Sequence, residues 1–276
     1  MRIAFDFDLR DLIPCGMNNF KVSIFQATAR EEKPEYRLNW LDMAAERASG
    51  EGSQLLVCPE LYLSGYHVAE KLEKRAVTIL GEYSERVGEI AQLHDIAIVY
   101  GYPEREGNKL YNTAAFMTPE AKMLAHHRKN HIPPGFEKDM FTPGKQLRVF
   151  EYSGWKMAIL ICYDIEFPEA ARQATLAGAE LLIVPTALGD QWHFVADKMV
   201  PTRAWENGVY LAYANWAGQE GGKVYLGGSR IIGPDGETDA IGGSAEVILS
   251  ATLEKSRLTA ARARLPYLED RRQYGL

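Results

Sequence analysis

Cys162 closes an apolar run, Trp155-Lys156-Met157-Ala158-Ile159-Leu160-Ile161-Cys162, and is followed by Tyr163-Asp164 and then Phe167-Pro168-Glu169. The run reads as a buried strand, and the Ala-rich stretch after Pro168 reads as a helix opening. The thiol therefore sits on a strand-to-helix elbow. There the backbone N–H groups of the next turn point at whatever is bonded to sulfur, which suits a thiolate or an oxyanion. The competing reading is an inert core thiol, because free cysteines are among the most buried residue types. Two other segments place ionisable groups in comparable positions. Leu55-Leu56-Val57-Cys58-Pro59-Glu60 is a short apolar run stopped by proline and followed by a carboxylate. Residues 126–137 begin polar and become a Pro133-Pro134-Gly135 loop too rigid for a helix, flanked by Lys129 and Glu137. In an α/β sheet, functional groups collect outside the carboxyl ends of strands, so the three segments can converge in one crevice and support nucleophilic catalysis.

Each group also has a plainer reading. An arbitrary Glu and Lys, such as Glu60 and Lys129, more often form a surface ion pair. Glu137, beside Lys138 and Asp139, fits a solvated charged loop. Asp164 and Glu169 read as structural carboxylates that bond backbone at a helix start. His127 and His131 stand four residues apart, but Pro133 follows and no glutamate occupies the HExxH position, so a zinc helix is not expected. No papain-like or caspase-like signature surrounds Cys162, which argues against a Cys–His protease pair. Cys58 reads as core. The glycine pairs at 221–222, 227–228 and 242–243 read as turns, since no G-x-G-x-x-G opens a helix after them. Neither a metal nor a cofactor is expected.

Positioning these groups requires alternating strands and helices, and the hydrophobic pattern supplies them. It predicts strand 21–26, helix 36–49, strand 54–58, helix 71–94, and strands 96–101 and 111–118. Beyond the Pro/Gly loop it predicts strands 147–152 and 155–162, helix 168–178, strand 180–185, helix 191–206 and strand 209–215, with further strands near 224–233 and 245–253. That alternation favours the α/β class.

Composition narrows the function. The 276 residues are 46% hydrophobic and show no composition break, which favours one large domain. With 31 Lys and Arg against 37 Asp and Glu, the net charge of −6 argues against a nucleic-acid surface. Three cysteines make no disulfide framework, so a reducing, cytoplasmic setting is expected. No apolar run approaches the roughly 20 residues of a membrane span. Residues 1–19 lack a signal-peptide core and read as an upstream extension, Met17 offering a second start. A genuine N-terminal arm is the equal alternative.

Several stretches resemble the nitrilase superfamily of carbon–nitrogen hydrolases. They are Pro59-Glu60, Arg128-Lys129-Asn130-His131, Phe136-Glu137-Lys138 before Phe141-Thr142-Pro143-Gly144, and Cys162-Tyr163-Asp164-Ile165-Glu166-Phe167-Pro168-Glu169. Gly101-Tyr102-Pro103-Glu104, Tyr111-Asn112-Thr113-Ala114, Arg203-Ala204-Trp205-Glu206-Asn207, Ala214-Asn215 and Gly227-Gly228-Ser229 add to the likeness, in order from about Lys21 to the end. The resemblance implies a four-layer α-β-β-α sandwich over residues 20–276, with a Glu–Lys–Cys triad of Glu60, Lys129 and Cys162 and a second glutamate, Glu137. It further implies a homodimer, or a higher even-numbered oligomer, formed through helices near the cysteine. Residues 258–276, with apolar Leu265, Pro266, Tyr267 and Leu268, read as an extended arm across a partner or as a frayed tail.

On that resemblance, Cys162 attacks a small-molecule amide, Glu60 acts as general base and then general acid, and Lys129 with the Tyr163 N–H holds the oxyanion. Glu137 hydrogen-bonds Lys129. The segment Pro185-Thr186-Ala187-Leu188-Gly189-Asp190-Gln191-Trp192-His193 follows a strand end and is expected to line the acyl pocket. Ala187 and Gly189 leave room, Trp192 walls one side, Asp190 or another nearby carboxylate meets a substrate amine, and Tyr66 closes the opposite side. The alternative for Asp190 is a helix cap. Tyr163-Asp164 after the cysteine is similar to the aliphatic amidase branches rather than to true nitrilases. An amidase acting on short aliphatic or amino-substituted amides is therefore expected. Nitrile or N-carbamoyl hydrolysis is the second reading, and a scaffold that kept the fold without chemistry the third.

Overall fold

The computed structural model describes residues 19–68 and 71–274 of the chain. The expectations for residues 1–18 lie outside the described residues. The strand Asn19–Gln26 shows how the layers arise. Its side chains alternate, so Phe20, Val22 and Ile24 join one buried cluster while Phe25 joins another.

The same alternation runs through two six-stranded mixed sheets. The first has the spatial order Val247–Glu254, Asn19–Gln26, Leu55–Val57, Ala97–Glu106, Lys109–Met117, Met123–Arg128. The second runs Thr238–Ile241, Arg230–Ile232, Tyr210–Ala214, Leu181–Pro185, Trp155–Ile159, Val149–Tyr152. Each has three adjacent parallel strands flanked by antiparallel ones. Val22, Val57 and Val99 of the first sheet share one apolar cluster with Met157, Ile159, Ile183 and Ala212 of the second, so the sheets pack face to face. The outer face of the first sheet carries Leu56 and Ile98 and is covered by helices Pro34–Gly50 and Glu82–Leu93 through Leu41, Ala45, Val87 and Ala91. Leu182, Val184 and Leu211 on the other outer face are covered by Pro168–Leu176 and Val200–Asn207 through Ala171, Ala174 and Ala204. Three buried interfaces make four layers, the expected α-β-β-α sandwich.

Some elements differ from expectation, for local reasons. The helix predicted over 71–94 is two helices, Lys71–Lys74 and Glu82–Leu93. Between them Val77 leaves the helix to bond the sheet margin, donating to Pro103 O (3.1 Å) and accepting from Arg105 N (2.7 Å). The helix predicted over 191–206 is a 3₁₀ turn Asp190–Trp192, a π turn Val195–Met199 and an α-helix Val200–Asn207. The widened turn ends just before Pro201, which has no N–H to continue an α-helical ladder. The Pro/Gly loop does accommodate a helical turn, Phe136–Met140, started by Gly135 at φ 106°. The tail is not an extended arm over its first part. It forms helix Lys255–Arg264, which docks on its own chain as Arg262 donates to Gly208 O (2.9 Å) and Ala179 O (3.1 Å).

Candidate active site

Strand Leu55–Val57 ends at Cys58-Pro59, and the chain then turns sharply through Leu61, which sits at φ 50°. The turn crosses so close to the neighbouring strand that a Cβ on Gly101 would lie 2.4 Å from Leu61 N. Only glycine leaves that space, and the result is Glu60 fully buried at the strand's carboxyl end. Lys129 follows strand Met123–Arg128 in the same sheet and is also fully buried. A Cβ on Gly144 would meet Arg128 O at 2.2 Å, and Gly144 N donates to Lys129 O at 2.8 Å, so glycine again permits backbone to close over a charged residue. Cys162 follows Trp155–Ile159 of the second sheet, at φ 44°, and begins the 3₁₀ turn Cys162–Glu166. A non-glycine residue in the left-handed region is held there by its surroundings, a form of strain that concentrates at functional sites.

These ends meet. Lys129 Nζ donates to Glu60 Oε1 (2.7 Å) and to both oxygens of Glu137 (2.8 and 2.9 Å). Asn112 Nδ2 spans the two carboxylates, 2.7 Å from Glu60 and 3.2 Å from Glu137, and the Tyr66 hydroxyl donates to Glu137. Glu60 Oε2 is buried and has no hydrogen-bond partner among the described residues. Such a cluster is retained at a net cost unless every ion is paired, since burying charge costs several kcal/mol per ion. An isolated surface pair of Glu60 and Lys129 is thereby excluded, as is a solvated Glu137.

The electrostatics separate the roles. Burial, with the Glu137 charge adding to it and Lys129 opposing, pushes Glu60 up to about 7. Burial disfavours the Lys129 ammonium, but Glu137 and Glu60 outweigh it and its pKa rises. Burial and then Glu60 push the Cys162 thiol up, against Lys129 and a backbone hydrogen bond from Ala187. Burial thus disfavours the charged forms of Cys162 and Glu60 alike, while two glutamates keep the Lys129 ammonium charged.

A second set of contacts ties the halves of the site together across the sheets. Asp164, fully buried two residues after the thiol, accepts from Ile161 N (3.0 Å), Asn130 N (3.2 Å) and His131 N (2.9 Å). It also bonds His131 Nδ1 (2.8 Å) and His127 Nε2 (2.9 Å). Its carboxylate therefore clamps the residues around Lys129 onto the elbow of Cys162, a wider role than bonding backbone at a helix start. Trp216 Nε1 donates to Glu60 O (2.9 Å), and Glu60 N donates to Thr186 O (3.3 Å). Asn215 grips Leu188 through its N–H (2.8 Å) and its carbonyl (3.2 Å), which holds Ala187 beside the cysteine.

Not every expected lining residue is gathered here. Tyr66 is buried but spends its hydroxyl on Glu137, so it positions a carboxylate as well as enclosing the site. Ala187 is buried and Gly189 half-buried. Trp192 is 58% exposed and Asp190 is exposed too, because the chain leaves Gly189 extended and their short 3₁₀ turn carries both outward. Neither lines an enclosed pocket in a single chain. Tyr163 stands second in its turn, where an N–H has no acceptor within the turn. Asn112 and Trp216 were not singled out as site residues from sequence. Asn112 had two signals, its place in the resemblance motif Tyr111-Asn112-Thr113-Ala114 and its polarity within the largely apolar run 110–117. Among the described residues no group of three or more His, Cys, Asp or Glu side chains is gathered to hold a metal ion. Also among them, no helix is long and apolar enough to cross a membrane.

Known proteins resemble this chain in sequence and in structure. The carbon–nitrogen hydrolase family profile matches residues 21–263. A protein described as a hydrolase in the pqqF 5′ region of Pseudomonas protegens is 39% identical, over 93% of this chain and 90% of its own length. An (R)-stereoselective amidase of a Pseudomonas species is 32% identical, over 91% of each chain. Among solved structures, an amidase from a Nesterenkonia species superposes with a TM-score of 0.79 at 36% identity, covering 90% of this chain and 95% of that one. A variant of that amidase carries the acetamide moiety of fluoroacetamide covalently at its active-site cysteine.

Proposed function

This chain belongs to the carbon–nitrogen hydrolase family, and we propose that it is an amidase that converts a small aliphatic or amino-substituted carboxamide to acid and ammonia through a thioester on Cys162. The observation that carries the reading is Lys129 held between Glu60 and Glu137 beside a strained cysteine. Glu60 takes the thiol proton as sulfur attacks the carbonyl, and Lys129 with the Tyr163 N–H receives the developing oxyanion. Glu60 then hands the proton to the departing nitrogen, so ammonia leaves as a neutral molecule. Water deprotonated by Glu60 opens the thioester and regenerates the thiol. Each positioned acid or base in such a scheme is worth roughly 10²–10⁴ in rate, and a lost oxyanion donor costs roughly 10²–10³.

Amide rather than nitrile is favoured because a tetrahedral oxyanion is what an ammonium and a backbone N–H can stabilise together; a linear nitrile presents no such oxygen on attack. Ammonia release from propionamide and butyramide, set against the matching nitriles, tests this. Faster release from a nitrile would move the enzyme to the second reading. We further propose an even-numbered homo-oligomer, supported by exposed Leu176, Trp205 and Tyr267 on the helical layer outside the second sheet.

A further inference from the structure

Most ionisable groups around Cys162 are matched. Lys129 is shared by two glutamates, and Asp164 is saturated by five donors. Arg203 is committed to Ile165 O (3.1 Å), Glu166 O (2.7 Å) and the Glu206 carboxylate (3.2 Å). Glu166 is the exception: among the described residues its carboxylate has neither a hydrogen bond nor an ion pair, although the residue is half-buried.

Its place in the turn explains why. In the 3₁₀ segment Cys162–Glu166, side chains three apart eclipse, so Glu166 lies on the face of Tyr163, the residue next to the nucleophile. Asp164 turns to the Lys129 loop, Ile165 enters the core outside the second sheet, and Phe167 stacks on the His131 ring at 4.1 Å. The Glu166 charge is felt by Lys129 and by the buried Tyr213 phenol, which also senses Cys162. Burial raises its pKa, with Lys129 and Arg203 opposing. A carboxylate that has shed part of its water without gaining a partner is half of an ion pair. Lys129 and Arg203, the two cations whose charges reach it, are already engaged, which leaves the carboxylate free for a cation on the ligand.

We propose that Glu166 selects the substrate: its carboxylate receives a protonated amine on the acyl part of the amide, and it turns away acyl groups that end in a carboxylate. This rests on the amidase reading above. Asp190 was expected to play this part, but Glu166 is carried by the same turn as the thiol and its backbone carbonyl is pinned by Arg203. Attraction of an ammonium and repulsion of a carboxylate together give discrimination in both directions.

The test is kcat/KM on two isosteric pairs, alaninamide with isobutyramide and 4-aminobutanamide with pentanamide. The parent enzyme is expected to favour the cationic member of at least one pair by about tenfold or more, and Glu166→Gln to collapse that ratio through KM, as loss of one partner of a partly buried charge pair does. Glu166→Lys should admit succinamate, which the parent is expected to refuse. Neutral amides turned over with the same cation-to-neutral ratio in parent and Glu166→Gln would overturn the role of Glu166 and leave the amidase reading standing. No turnover of any amide would overturn both.

Discussion

A thiol pushed up by burial is a weak nucleophile until a base removes its proton, and Glu60, near 7, is the carboxylate beside it. Cys162→Ala should therefore abolish ammonia release while leaving the unfolding temperature close to that of the parent. Cys58→Ala should keep activity, since that thiol is buried in the core outside the first sheet. Retained turnover in the Cys162 variant would sink the mechanism. Glu137→Gln removes an anion without making a packing defect, so kcat should fall by roughly 10² or more with little change in thermal stability. The sign of its pH effect also follows. Glu137 helps raise Glu60, and Glu60 works as a base only when ionised. The acid limb of kcat/KM should lie near pH 7 in the parent and move to lower pH in Glu137→Gln. A limb that stays in place would remove Glu137 from the electrostatics of Glu60. Cys162 and Glu60 stand out in sequence because each ends or follows an apolar run, whereas Lys129 lies in a polar stretch and is marked by the Pro/Gly loop it flanks and by its resemblance motif. Glu137 was legible only through its resemblance motif, since a charged loop leaves no periodic signal.

At the level of elements, Asp164 joins the strand end before Lys129 to the elbow after Trp155–Ile159. Its partners at 127, 130 and 131 are more than thirty residues away, so no local pattern could have announced the clamp. The same kind of long-range bond took Val77 out of its predicted helix and into the sheet margin. The α/β class was more visible, because alternating strands and helices leave local hydrophobic signals, while the four-layer order was implied by the family resemblance and not by spacing. The clamp makes a stability prediction. Burial disfavours the Asp164 charge, but His127 and His131 hold its carboxyl well below the usual range. The Asp164 hydrogen bond raises His131 above its ordinary 6.5, with burial opposing. A raised histidine contributes stability that is fully present below its unfolded value and lost as pH climbs through its folded one. The depressed Asp164 contributes stability above its own unfolded value, and that is lost only in strong acid. The unfolding temperature should thus decline as pH rises from about 6.5, and this decline should flatten in Asp164→Asn. The same variant should lose roughly 10² in kcat by misplacing Lys129. An unchanged pH slope in thermal melts, with normal kcat, would reduce Asp164 to a helix-start carboxylate.

For the whole molecule, exposed Leu176, Trp205 and Tyr267 predict a dimer or larger even-numbered assembly, which sedimentation at micromolar concentration should show. A single 31.0 kDa species would count against it. The sandwich has another consequence, which concerns tolerance. Glu60 and Lys129 belong to one sheet, Cys162 and Thr186 to the other, and the face between them is held chiefly by apolar side chains. Turnover thus gauges how accurately two slabs are registered. A displacement of about 1 Å is enough to cost a hundredfold in rate, far less movement than unfolding requires. Trimming Ile159 or Ile183 to Val at that face should let the slabs slip on warming, so that heat silences the enzyme several degrees before the fold gives way.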